Sequence, residues 1–192
     1  MDFGTMLNRL IRAARLDISL YEEVEADTAL TQEAITAVVI IAILSGIGTG
    51  LGTLIGGAGV GAFFVSLIVG VIVAVAGFFI WAFLTYFIGV NLFKGTADYG
   101  ELVRTLGYAY GPNVLGLLAF IPIIGRLLSL AGSIWALVCG VVAVRQALDF
   151  DTTKAVLTVI IGWIVVIVIT LLIGAITGLG VFGLAALSGG PR

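Results

Sequence analysis

Residues 45–61 read SGIGTGLGTLIGGAGVG, eight glycines within one short run. Such a run either cradles a phosphate or lets backbone approach backbone in lipid. A dinucleotide fingerprint needs a strand before the glycines, a helix after them and an acid about twenty residues further on. Here the preceding run is long and apolar, and no acid lies between Glu33 and Asp98. A P-loop needs a lysine directly after its last glycine, and Gly61 is followed by Ala62.

The spacing fits lipid instead. Gly46 and Gly50, Gly48 and Gly52, and Gly57 and Gly61 are each four apart, and Gly174 with Gly178 repeats the pattern near the end of the chain. Little hydrophobic drive acts between helices in a bilayer, so small residues at i, i+4 favour close packing. The closing stretch, 56–61, suits a short turn, where glycine tolerates positive φ.

Composition agrees. The 192 residues are 61% hydrophobic and 10% charged, with a mean hydropathy of +1.26. A soluble domain carries roughly 25% charged residues, so most of this chain faces lipid. Histidine is absent and Cys139 is the only cysteine. Histidine catalysis, an internal disulfide and a Cys/His metal site are excluded; Cys139 reads as a small buried hydrophobe. No cofactor, metal or nucleic-acid partner is expected.

Five apolar segments can be drawn, at about 34–55, 62–92, 100–122, 126–147 and 153–178. A span needs about 20 residues for a ~30 Å hydrocarbon core. The second would reach about 46 Å at 1.5 Å per residue and must tilt or project. The third is interrupted by Pro112 and reads as a kinked span, with a re-entrant hairpin as the other option. Asp98 is its N-cap, with Glu101 at the third helical position.

The expected fold is all-α: a membrane bundle of five transmembrane helices preceded by an amphipathic helix. Residues 1–30 form the cytosolic N-terminal helices, 31–178 the membrane domain and 179–192 an apolar, glycine-rich tail. In residues 2–16, Phe3, Met6, Leu7, Leu10, Ile11 and Ala14 share one helical face. Arg9, Arg12 and Arg15 flank it, which suits the membrane surface. A second helix is predicted with Ser19 as cap and Glu22 completing a capping box, and Thr31 is read as the cap of the first span. Glu22, Glu23, Glu25 and Asp27 make an acidic face that could meet a basic partner. No cleavable signal peptide is expected, because the first long apolar run starts only near Ala34.

With the N-terminus inside and five spans, Arg9, Arg12, Arg15, Lys94, Arg104, Arg145 and Lys154 lie inside, leaving Arg126 and Arg192 outside. That bias obeys the positive-inside rule, and all the acids fall on the same side. The predicted location is an integral, multi-pass protein of a prokaryotic cell (inner) membrane with a cytoplasmic N-terminus.

None of the apolar cores contains a charge, which argues against ion-coupled pumping and an intramembrane acid–base pair. Asp149 and Asp151 read as caps of the last helix, and Trp135 and Trp163 as packing anchors between helices.

At "YGELVRTLGYAYGP", residues 99–112, the chain resembles the Yip1 domain family. Gly107, Tyr108 and Pro112 match a G-Y-x-x-x-P pattern, and "IPIIGRLLSLAGSIWALVCGVVAVRQAL" and "DFDTTKAVLTVI" follow in order. The resemblance covers roughly residues 8–175 and implies five spans with a cytosolic N-terminus. Eukaryotic members are linked to vesicle trafficking and prenylated small GTPases. This chain lacks their D-L-Y-G-P element, "SLYEEV" sharing only Leu-Tyr, and it lacks a long polar arm. It therefore resembles a short prokaryotic-type member.

The function expected is a non-enzymatic membrane-organising or protein-docking scaffold acting through its cytosolic face. Gly107, Tyr108 and Pro112 are the candidate partner-binding residues, with Glu101 and Arg104 beside them. Partners are the bilayer and a membrane or cytosolic protein; a homo-oligomer is compatible. The alternative is a transporter or channel, or an accessory subunit of one.

Overall fold

The computed structural model describes the backbone of residues 2–187, and side-chain environments as far as Leu172, Thr170 excepted. Among these residues there are only helices: α1 (Phe3–Ala14), α2 (Ile18–Ala26), α3 (Thr31–Ile55), α4 (Gly59–Phe93), α5 (Tyr99–Ala109), a 3₁₀ segment (Gly111–Phe120), α6 (Ile124–Ala147) and α7 (Thr152–Leu187). Four of them are long and apolar enough to cross a membrane: α3 with its short 3₁₀ lead-in, α4, α6 and α7.

The remaining apolar segment is divided at Tyr110. Gly107 at the end of α5 lies against Ala34, Gly116 against Ser45, and Gly52 faces Phe120. The chain from 107 to 120 thus runs alongside α3 from Ala34 to Gly52, about 27 Å at the α-helical rise. Pro112 sits in the first turn of the 3₁₀ segment, where its missing N–H costs nothing. The chain therefore bends at Tyr110 and continues along α3. Reversal into α6 is abrupt: Ile123 sits at φ 65°, ψ −64°, and the Ile124 N–H donates to the Pro122 carbonyl at 2.7 Å. This is a γ-turn of the rare, strained kind.

The glycines of α3 divide between two faces. An added Cβ at Gly46 would meet the Leu67 carbonyl at 3.2 Å, and at Gly50 the Phe63 ring at 2.9 Å, both on α4. At Gly48 it would meet the Gly116 carbonyl of the 3₁₀ segment at 2.3 Å. Gly52 lies on that second face, where an added Cβ would stand 3.6 Å from the Phe120 Cα. Gly57 and Gly61 differ from the packing role their spacing suggested. A Cβ added at either would meet nothing within 4 Å, and Gly57 and Gly59 adopt φ of +83° in the turn between α3 and α4. The surroundings of Gly174 and Gly178 lie outside the described residues.

At α4, 35 residues correspond to about 52 Å, well beyond the hydrocarbon thickness. Its only buried residues are Phe78, Ala82, Thr85 and Gly89, all in the half near α5. α7 continues past 178 to Leu187, so part of the predicted tail is helical; residues 188–192 lie outside the described residues.

Local caps correct three readings. Asp17, not Ser19, caps α2, its carboxylate accepting from the Ser19 N–H. α3 is entered from the 3₁₀ turn Thr28–Leu30 with no side-chain cap, and the Thr31 hydroxyl donates backward to the Thr28 carbonyl. Asp151 accepts from the Lys154 N–H at the start of α7, whereas Asp149 accepts from the Thr96 hydroxyl in the α4–α5 connection. The capping box of α5 is formed in full, Asp98 accepting from the Glu101 N–H and Glu101 from that of Asp98.

Candidate functional site

The connection after α4 and the connection after α6 meet at one end of the bundle. A Cβ on Gly95 would touch Leu148 and Phe150, and Thr96 bonds Asp149 at 3.0 Å. α1 and α2 dock at the same end. Gln146 on α6 donates to Glu22 on α2, and the Trp135 indole N–H donates to the Ala14 carbonyl at 2.8 Å. Charge is therefore concentrated at this end, as the sequence pattern requires. The opposite end carries the Gly56–Ala58 turn, the Pro122–Ile123 reversal and Arg126.

Two buried ionic groups build this cap. Glu33, in the first turn of α3, is 7% exposed. Its Oε1 accepts from the Tyr108 hydroxyl at 2.7 Å and from Arg9 Nη1 at 3.0 Å. A buried carboxylate requires such partners, since an unpaired one costs several kcal/mol. Arg104, 3% exposed, turns the other way. Its guanidinium donates to the carbonyls of Val24 and Glu25 at the end of α2, and to the Thr31 hydroxyl. A cation at a helix C-terminus satisfies carbonyls that the helix cannot. Tyr21 fixes the middle of α2, donating to the Ala13 carbonyl at 3.1 Å.

The sequence-predicted partner-binding residues are thus brought together, but inward. Tyr108 is 0% exposed, Gly107 packs against Ala34, and Pro112 is buried. Glu101 is engaged in the capping box. None of Gly107, Tyr108, Pro112 and Arg104 offers surface to a partner in this conformation; Tyr108, through Glu33 and Arg9, and Arg104 tie α1 and α2 to the bundle, while Gly107 packs on α3. The family pattern singled out these residues without showing that other helices of the same chain cover them.

The membrane-surface arginines also divide. Arg9 pairs with Glu23 and Glu33, and Arg12 with Asp17 and Glu23. Bonds from Ser19 and from Arg12 hold the Asp17 carboxyl down at about 2. Arg15 alone of the three is exposed and without an ion pair among the described residues. Trp135 and Trp163 are close to half exposed, at 44% and 45%, so neither is the enclosed packing anchor read from the sequence. Cys139 is fully buried, as expected.

Acids outnumber bases on the outward face of the cap, where Lys94 and Lys154 are also exposed and Glu23 is paired with Arg9 and Arg12. Glu22, Glu23, Asp27, Asp98, Asp149 and Asp151 are exposed there. Partial burial, reinforced by the nearby carboxylates of Glu101, Asp149 and Glu22, pushes the Glu25 carboxyl up to about 7, against the opposing effect of Arg104. Sequence reasoning found the acids of α2 but not their meeting with Glu101 and Asp149, which only the tertiary fold creates.

A family model for the Yip1 domain matches residues 19–187. No curated protein and no solved structure matches the chain.

Proposed function

The chain belongs to the Yip1 domain family and is a multi-pass membrane protein; from that premise we propose that it is a non-enzymatic scaffold whose acidic cap docks a basic segment of another protein. The carrying observation is the clamp by Arg104, which holds the end of α2 so that Glu22 and Glu25 stand beside Glu101 and Asp149. A fixed array of like charges is costly to the free protein and complementary to a cationic partner. We place this cap on the cytoplasmic side of a prokaryotic cell membrane, with the basic residues counted above as the support.

The test is photo-crosslinking in native membranes from probes at Ala26 and Thr152, exposed beside the acids, with the charge reversals Glu22→Lys and Asp149→Lys. The expected result is a discrete neighbour captured by the parent chain and lost from the double reversal. An identical neighbour profile for both, in correctly inserted protein, overturns the docking reading.

A transport role is favoured by a separate observation. A cavity of ≈ 170 Å³ lies beside the break at Tyr110 and is lined by Trp81, Asn113, Ser133 and Trp163. The Trp81 indole N–H is buried without a partner among the described residues, and broken helices mark solute sites in transporters. Saturable solute flux in proteoliposomes, reduced by Asn113→Ala, would establish that role in place of the scaffold.

A further inference from the structure

Between α1 and the spans lies an apolar groove of ≈ 350 Å³. Its roof is the stripe of α1 that includes Leu7 and Ile11; its floor is Ile40 and Leu44 of α3, Val114 of the 3₁₀ segment and Trp135 of α6. The one polar atom of the Trp135 side chain is already committed to the Ala14 carbonyl. A cavity of this size without polar partners does not hold ordered water. Ile40 and Leu44 stand about 10 and 16 Å along α3 from Glu33 at 1.5 Å per residue, a depth at which the surrounding solvent is hydrocarbon.

The lining of the groove runs along α1 as far as Ala14, and the next residue is Arg15. Phe3, Leu7 and Ile11 follow one another at four-residue intervals and are all exposed, and the next position in that series is Arg15. Arg9 and Arg12 are neutralised by acids of the cap, whereas Arg15 is exposed and has no ion pair among the described residues. An apolar trough with an unpaired guanidinium one residue beyond its lining matches one kind of molecule: an acyl chain carrying a phosphate. Guanidinium groups favour phosphate oxygens through paired N–H donors.

We infer that this groove binds one acyl chain of an anionic phospholipid from the leaflet in which α1 lies, with Arg15 holding the phosphate. The lipid then fills the space under α1 and makes the N-terminal helix selective for negatively charged membrane. This site is separate from the acidic face, so either reading can fail without the other.

The groove contains its own reporter. In full-length protein carrying Trp81→Phe and Trp163→Phe, Trp135 is the remaining indole. The protein is reconstituted in vesicles of phosphatidylcholine and phosphatidylglycerol at nine to one. Bromine is placed either on the tails of the phosphatidylglycerol or on an equal number of phosphatidylcholine molecules. The expected result is an association constant about fivefold higher for the brominated phosphatidylglycerol, the worth of one cation near the surface. Arg15→Gln should abolish this preference, and Val114→Phe, which narrows the trough, should weaken quenching by both lipids. Equal quenching by the two lipids in the parent protein overturns the inference, as does a preference that survives Arg15→Gln. Quenching that falls as protein is concentrated in the vesicle would assign the groove to a second copy of the chain and also overturn it.

Discussion

α5 and the far half of α4 are both helical and both belong to the bundle, yet they follow opposite rules. Every residue of α5 from Leu102 to Ala109 is buried, including an arginine and a tyrosine held by named partners. In α4, only 6% of the most apolar window is buried, against 44% for that of α3, and the exposed side chains are Phe64, Val65, Ile68, Ile72 and their like. The first region is organised like the core of a soluble protein, with polar groups satisfied internally. The second uses lipid as its surroundings and has little to satisfy beyond its own backbone. Charge and hydrogen bonding decide the position of the N-terminal helices, whereas shape alone decides where α4 lies.

Substitutions at the two regions should separate these regimes. The largest effect is expected at Glu33→Ala, which leaves Arg9 and the Tyr108 hydroxyl without their shared acceptor. Breaking a buried pair in this way costs about 3 kcal/mol. Hydrogen exchange of α1 should accelerate by about a hundredfold while that of α4 is unchanged; uniform exchange in both would dissolve the contrast.

Next in size are the glycines. Gly48→Ala forces a methyl group against the Gly116 and Leu117 backbones at 2.3 and 2.5 Å, and should destabilise by about 1–3 kcal/mol. Gly77 has nothing within 4 Å of an added Cβ; in the same assay, unfolding in mixed micelles, Gly77→Ala should be neutral or slightly stabilising. A matching loss at both positions would mean that glycine acts through the backbone and not through contact.

The smallest effect concerns pH. Glu25 has a raised carboxyl, so the folded cap binds this proton more tightly than the open one. Its contribution favours docking of α2 fully below the ordinary carboxylate value of 4.5 and is lost as pH rises through about 7. Labelling of a cysteine introduced at Leu20, taken relative to a free thiol at each pH to remove the rise in thiolate, should therefore speed up modestly between pH 5 and 8, and Glu25→Gln should flatten the profile. The groups facing Glu25 are Glu22, Glu101, Asp149 and Arg104. A flat profile in the parent protein would remove the carboxylate cluster from the account.

What could be read from the sequence was mostly local. The Asp98–Glu101 capping box lies within one turn, and the apolar runs announce α3, α4, α6 and α7 by length. The glycines at 46, 48, 50 and 52 were legible as packing residues; their partition between α4 and the 3₁₀ segment was not, because spacing names a face and not its neighbour. The cap was hidden for the same reason. Glu33 and Tyr108 are 75 positions apart, and Arg104 and Val24 are 80 apart. The family pattern picked out Tyr108, with Arg104 beside it, and left open whether solvent or another helix covered them. Ser19 was misread because Asp17, two residues earlier, accepts from the Ser19 N–H and starts the helix ahead of it.

The two-sided packing of α3 has a consequence for how the chain is made. The Ser45 hydroxyl donates to the Asn113 carbonyl, 68 positions later, and Gly48 is closed off by backbone of the same late segment. A ribosome adding about 5–20 residues per second delivers that segment roughly 3–14 s after α3 has emerged. During this interval one flank of the helix meets α4 while the other stays open, so assembly is ordered in time by the chain itself, with the 3₁₀ segment arriving as the closing piece.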